Sequence, residues 1–162
     1  SVEEYVPLVE RLHERLRKRS LSLAVAESCT GGLLGGAITA VPGSSDVFEG
    51  GILAYSNRVK REQLGVSAST LDQRGAVSEI AAREMVQGLR RKLDVPVGVA
   101  VTGIAGPSGG TEEKPVGLAY TSISHGNGTR VCRSVFEGNR STVRSRTVES
   151  ALGLLNDTLD SN

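Results

Sequence analysis

Val95-Pro96-Val97-Gly98-Val99-Ala100-Val101 decides the fold. Valines recur at every second position, which is the period of a strand, and the positions between them are apolar or small as well. A run that is apolar on both phases predicts a central strand covered by helices on both faces. Upstream, Ser78 is placed to cap a long helix with a buried row of Ala82, Val86, Leu89 and Leu93. Downstream, positions 103–110 form a Gly/Pro loop, which the charged run Thr111-Glu112-Glu113-Lys114-Pro115 extends.

Reading outward toward the N-terminus, Val2, Val6, Val9, Leu12 and Leu16 give an amphipathic helix with Arg11, Arg15, Arg17 and Arg19 outside. Leu21, Leu23 and Val25 alternate as a strand that ends near Glu27. Thr30-Gly31-Gly32 opens a helix over Leu33, Leu34 and Ile38, and Val41-Pro42-Gly43 breaks it. Gly31, Gly32, Gly35 and Gly36 weaken that helix, so they are expected at close approaches to a sheet or a ligand. A strand over 51–55 and a short helix over 58–64 follow. Toward the C-terminus, strands over 117–125 and 129–137 flank Gly126-Asn127-Gly128, which predicts a β-hairpin. A last helix from about Asn139 buries Val148, Leu152, Leu155 and Leu159. The fold class is α/β: a single three-layer α/β/α domain over residues 1–162, with a mixed, mainly parallel sheet and one antiparallel hairpin.

Composition narrows the function. The 162 residues hold 19 Lys and Arg against 18 Asp and Glu, a net charge of +1. That balance argues against a nucleic-acid or anionic-membrane binder, and aromatics at 3% argue against base-stacking platforms. No apolar run reaches the roughly 18 residues of a membrane span. The charged first residues carry no signal-peptide core, and the two Cys make no disulfide framework, so a cytoplasmic setting is expected. Ser1 in place of an initiator Met suggests a trimmed chain or a fragment.

Two His and two Cys at no zinc-like spacing make a metal site unexpected. His13 and His125 read as surface residues. The Gly-x-Ser-x-Gly elbow is absent, and the 103–110 loop lacks the ending of a Walker loop. Three polar clusters remain. Glu27-Ser28-Cys29-Thr30-Gly31-Gly32 lies where a strand meets a helix, at the carboxyl edge where open α/β sheets bind ligands. It reads as an anion site at a helix N-terminus, a helix cap, or both. Gly43-Ser44-Ser45-Asp46 precedes Tyr55-Ser56-Asn57-Arg58-Val59-Lys60. On spacing alone Lys60 is a surface lysine, or else a base for a serine. Arg140 and Arg144 share a helix face near its start, either solvated or joined by an anion.

Taken in order, Ala26-Glu27-Ser28-Cys29-Thr30-Gly31-Gly32, Pro42-Gly43-Ser44-Ser45, Tyr55-Ser56-Asn57, Gly75-Ala76-Val77-Ser78, Gly103-Ile104-Ala105-Gly106-Pro107 and Glu113-Lys114-Pro115-Val116-Gly117 make the chain similar to the CinA C-terminal domain, which also occurs alone as the nicotinamide-mononucleotide deamidase PncC. The resemblance runs from about Leu21 to the last helix and lacks the molybdopterin-binding-like N-terminal domain of full-length members. It implies an amidohydrolase that converts nicotinamide mononucleotide to nicotinate mononucleotide and ammonia in pyridine-nucleotide salvage. No cofactor and no metal are implied. The partner is a small-molecule nucleotide, with no nucleic acid and no membrane, and a homo-oligomer is allowed.

By the same resemblance Ser45 is the nucleophile, Lys60 the base and Tyr55 a third catalytic residue. Ser28, Thr30, Gly31, Gly32, Thr102, Gly103, Arg140 and Arg144 bind substrate, with Arg140 ahead of Arg144. Ser45 and Lys60 are expected to meet through one strand and its turns. A free lysine titrates near 10.4, so a base at neutral pH needs a downward shift of about 3 units. Burial, or positive charge from Arg58, Arg61 and the substrate pyridinium, would supply it. Two alternatives stand beside this reading. One is a non-catalytic nucleotide-binding or regulatory module. The other is an amidase that uses Cys29 as nucleophile, assisted by Glu27 and Lys60.

Overall fold

In the computed structural model, which describes residues 2–160, three strands and five α-helices precede a terminal hairpin and a sixth helix. After a 3-10 turn come α1 (Val6–Lys18), β1 (Leu23–Glu27), α2 (Leu33–Thr39), a second 3-10 turn (Ser44–Asp46), β2 (Phe48–Leu53), α3 (Asn57–Leu64), α4 (Ala68–Gln73) and α5 (Glu79–Leu93). Then follow β3 (Val97–Gly103), β4 (Leu118–His125), β5 (Gly128–Val135) and α6 (Arg140–Asp160). The sheet order is β2-β1-β3-β4-β5, so the valine run does form the middle strand. β1 pairs in parallel with β2 and β3, while β3–β4 and β4–β5 are antiparallel.

The two-faced burial of the central strands builds both outer layers. Leu23 and Val25 of β1 join Val97, Val99 and Val101 of β3 in a core with α1, α2 and α6. Their neighbours Ala24, Ala26 and Ala100 point the other way, against Leu64 of α3 and Met85, Val86 and Leu89 of α5. Gly88 brings α3 onto α5. A Cβ there would lie 1.6 Å from the Leu64 carbonyl oxygen, so only glycine permits this crossing. That contact seats α3 with Lys60 facing inward.

Several boundaries differ from the sequence expectation. β2 starts at Phe48, three residues before position 51, because Glu49 and Gly50 sit at a register irregularity on an edge strand and hide the alternation. α4 is too short for a periodic signal; its one marker is Ser67, whose side chain caps Thr70 N–H. The hairpin turn has two residues, Gly126 and Asn127, since His125 pairs with Gly128. Met85 takes the core position expected of Leu93, which is exposed at the helix end.

His13 is the clearest reversal. It is 1% exposed, because it shares the inner face of α1 with Val9, Leu12 and Leu16. Neither ring nitrogen finds a hydrogen bond of normal geometry. Burial, then the Arg17 charge, holds its pKa below the usual 6.5; the Ile38 backbone pulls weakly the other way. The imidazole therefore stays neutral in the folded protein. As pH falls below about 6.5 the unfolded chain binds a proton that the folded chain refuses, so stability is lost. His13→Leu should remove part of that loss. Urea unfolding at pH 7 and pH 5 should show a smaller pH difference in the variant, by about 1 kcal/mol. An unchanged difference would contradict the assignment.

Candidate active site

Parallel pairing puts the ends of β1, β2 and β3 at one edge: Glu27 pairs with Leu53 on one side and Val101 on the other. Whatever follows these strands converges there. Ser28, Cys29, Tyr55, Asn57, Lys60, Thr102, Gly103 and Arg140 line a cleft of about 200 Å³ with Ala76, Val77 and Ala105. Its centre is a pair. Lys60 Nζ donates to Ser28 Oγ at 2.9 Å and to the Tyr55 carbonyl at 2.8 Å. Lys60 is 2% exposed, and no salt bridge among the described residues includes it. Burial lowers its pKa from the ordinary 10.5, against a weak upward pull from Cys29. Lys60 is thus no surface lysine.

The charged neighbours expected to shift Lys60 are elsewhere. Arg58 pairs with Glu62 at 2.6 Å on the outside of α3, and Arg61 is exposed. Desolvation is the working cause.

Ser45 does not meet Lys60. It is exposed in the turn that ends α2, at the amino edge of the sheet, where Leu23 N–H bonds to the Val47 carbonyl. One strand carries the chain across the sheet and does not return it to the same edge. The six residues of β2 put about 20 Å between its two ends. Ser44 caps α2 instead, its hydroxyl donating to the Ile38 carbonyl at 2.8 Å. The serine that meets the lysine is Ser28.

The α2 N-terminus is filled by the chain itself. Glu27, 1% exposed, accepts Thr30 Oγ1–H at 2.6 Å, Gly32 N–H at 3.2 Å, Leu34 N–H at 2.9 Å and Gly35 N–H at 2.9 Å. Thr30 and Gly32 therefore bind this carboxylate, Gly31 N–H turns back to the Ser28 carbonyl, and none of the three lines the cleft; the helix end is held by Glu27 and not by a Ser or Thr cap. Gly35 gives the expected close approach, with Glu27 Oε2 3.3 Å from where its Cβ would be; Gly36 faces open space. Thr102 is buried on the cleft wall and donates to the Ala76 carbonyl at 3.0 Å.

The two arginines diverge. Arg140 reaches the cleft, donating to the Gly106 carbonyl at 2.8 Å and to Tyr55 Oη at 3.2 Å. Arg144 lies behind the Ser28 turn and donates to the Cys29 and Thr30 carbonyls, both at 3.0 Å. Tyr55 is 64% exposed at the cleft mouth. Cys29 is buried, and desolvation pushes its thiol up to about 11, which disfavours the thiolate a cysteine nucleophile needs. Asn57 is a cleft residue that sequence reasoning left unassigned; its place at the start of a helix after a strand end was the available signal. Among the described residues no three His, Cys, Asp or Glu come together as a metal site, and no helix is long and apolar enough to cross a membrane.

An open mixed α/β sheet with a buried serine–lysine pair at its carboxyl edge defines the class. Residues 6–159 match the CinA C-terminal domain, and the chain belongs to that family. A CinA-like protein of Gemmatimonas aurantiaca is 48% identical over 137 residues, which cover 85% of this chain and 32% of that protein. The chain spans about a third of the length of the curated relatives it matches. Among solved structures, a CinA superfamily protein of Klebsiella pneumoniae superposes with a TM-score of 0.93 at 30% identity, covering 100% of this chain and 99% of that one. A competence/damage inducible protein of Agrobacterium tumefaciens gives 0.89 at 40% identity, covering 98% and 95%.

Proposed function

We propose that the chain is an amidohydrolase that converts nicotinamide mononucleotide to nicotinate mononucleotide and ammonia, with Ser28 as nucleophile and Lys60 as base. The observation that carries the reading is the 2.9 Å contact between a buried Lys60 Nζ and Ser28 Oγ. In its neutral form Lys60 takes the Ser28 hydroxyl proton as Oγ attacks the carboxamide carbon. It then returns the proton to the leaving nitrogen, and ammonia departs. Water enters, Lys60 takes its proton, and attack on the ester frees the carboxylate and restores Ser28. The Tyr55 carbonyl holds the amine in place throughout.

The charge of the cleft supports an anionic substrate. Its lining includes Arg140 and no carboxylate. Arg140, at the mouth beside Tyr55, is the group to meet the phosphate. A charged hydrogen bond of this kind contributes ~1.5–3 kcal/mol. Ammonia release should therefore show kcat/KM at least about tenfold higher for the mononucleotide than for free nicotinamide. Equal values would refute the phosphate contact. Tight binding of the mononucleotide with no ammonia released would favour the non-catalytic nucleotide-binding module instead.

A further inference from the structure

We propose that Arg144 is a positioning residue that fixes the backbone after Ser28 so that Cys29 N–H receives the developing oxyanion. The inference rests on Ser28 as the nucleophile. Three successive carbonyls of this turn are held. Ser28 O accepts Gly31 N–H at 3.1 Å, Cys29 O accepts Arg144 Nε–H, and Thr30 O accepts Arg144 Nη2–H, the last two at 3.0 Å. A peptide unit is planar and trans, so holding a carbonyl also aims the N–H of the next residue. Arg144, together with Leu33 N–H at 3.0 Å, holds the Thr30 carbonyl and so aims Gly31 N–H, and Gly31 N–H in turn holds the Ser28 carbonyl and aims Cys29 N–H. Cys29 N–H lies against its own thiol sulfur, donates to no other residue among the described hydrogen bonds, directly follows the nucleophile, and belongs to a residue that lines the cleft. A donor fixed before reaction costs nothing to reorganise as charge builds on the carbonyl oxygen.

Arg144 does not line that cleft. It lines instead a separate cavity of about 420 Å³ with Tyr5, Leu33, Ser141 and Ser145. Substrate therefore does not touch it, and its loss should act on kcat rather than on binding. Glu27 clamps the same turn from inside through Thr30, Gly32, Leu34 and Gly35, so the turn remains folded when Arg144 is replaced.

The test compares Arg144→Ala and Arg144→Lys with the unaltered chain. Steady-state hydrolysis of nicotinamide mononucleotide, the affinity for nicotinate mononucleotide, and the rate at which a fluorophosphonate labels Ser28 are measured together. Arg144→Ala should lower kcat about 100-fold, with KM and product affinity within about threefold. The labelling rate should fall in parallel, Arg144→Lys should lie between, and added guanidinium ion should restore part of the activity of Arg144→Ala. A kcat and labelling rate within about threefold of the unaltered chain would overturn the inference. So would a loss confined to KM and product affinity, because that marks a substrate contact. If the unaltered chain labels at Ser28 but leaves the mononucleotide uncut, the substrate reading falls and the labelling rates of the two variants alone decide the role of Arg144. Failure of the unaltered chain to label at Ser28 would overturn both.

Discussion

Ser28→Ala should lose about three orders of magnitude or more in ammonia release from nicotinamide mononucleotide, and Ser45→Ala should stay within about twofold of the unaltered protein. The reason is position. Ser28 Oγ is the hydroxyl in contact with Lys60 Nζ, whereas Ser45 sits exposed at the far end of β2. Removing Oγ takes away the atom that bonds to substrate and leaves only the binding groups of the cleft. Cys29→Ala belongs in the same experiment. Its thiol is held protonated by burial, so that variant should keep its activity. A dead but folded Cys29→Ala beside an active Ser28→Ala would restore the cysteine mechanism.

Lys60→Met should abolish most turnover and also make the protein more stable. The activity term is loss of the general base, about 10²–10⁴-fold. The stability term follows from the lowered pKa. Below 10.5 the unfolded chain holds the lysine proton readily, while the folded chain resists it. Folding therefore carries a cost at neutral pH, which fades as pH rises through 10.5, above which both states are neutral. An apolar side chain of similar length escapes that cost, even after the contacts to Ser28 and Tyr55 are gone. Lys60→Met should melt higher at pH 7, by roughly 1–2 kcal/mol or about 3–6 °C, and the gain should shrink above pH 10. The unaltered enzyme should show kcat/KM rising with pH through an inflection below 10.5, as lysine becomes the free amine. A flat pH profile together with a lower melting temperature in Lys60→Met would contradict both parts.

The fold was legible because its signals are local. The valine run, the apolar rows of α1, α5 and α6, and the glycines of the hairpin each act within one element. The site was legible only in part. Tyr55, Lys60, Thr102, Ser28 and Arg140 come together as the sequence strings suggested. Ser45 does not, and the error is topological. A residue that precedes a parallel strand lies at the amino edge, and one that follows a strand lies at the carboxyl edge. Ser28 follows β1, Lys60 follows β2, and Thr102 is near the end of β3. That rule alone selects Ser28 over Ser45. Glu27 and Arg144 were named from the sequence, Arg144 as a substrate contact, but their hold on the turn was illegible: their partners are backbone atoms of one turn, and backbone groups leave no pattern in a sequence. His13 was misread because a single polar residue on an apolar helix face was judged by its type rather than its spacing.

Rapid quenching of the reaction with nicotinamide mononucleotide, followed by peptide mapping of any covalent adduct, tests the serine–lysine reading most directly. The expected result is an acyl ester of the nicotinate mononucleotide on the peptide containing Ser28, formed and lost at rates consistent with turnover and absent in Lys60→Met. An adduct on Ser45 or Cys29, or full turnover in Ser28→Ala, would contradict it.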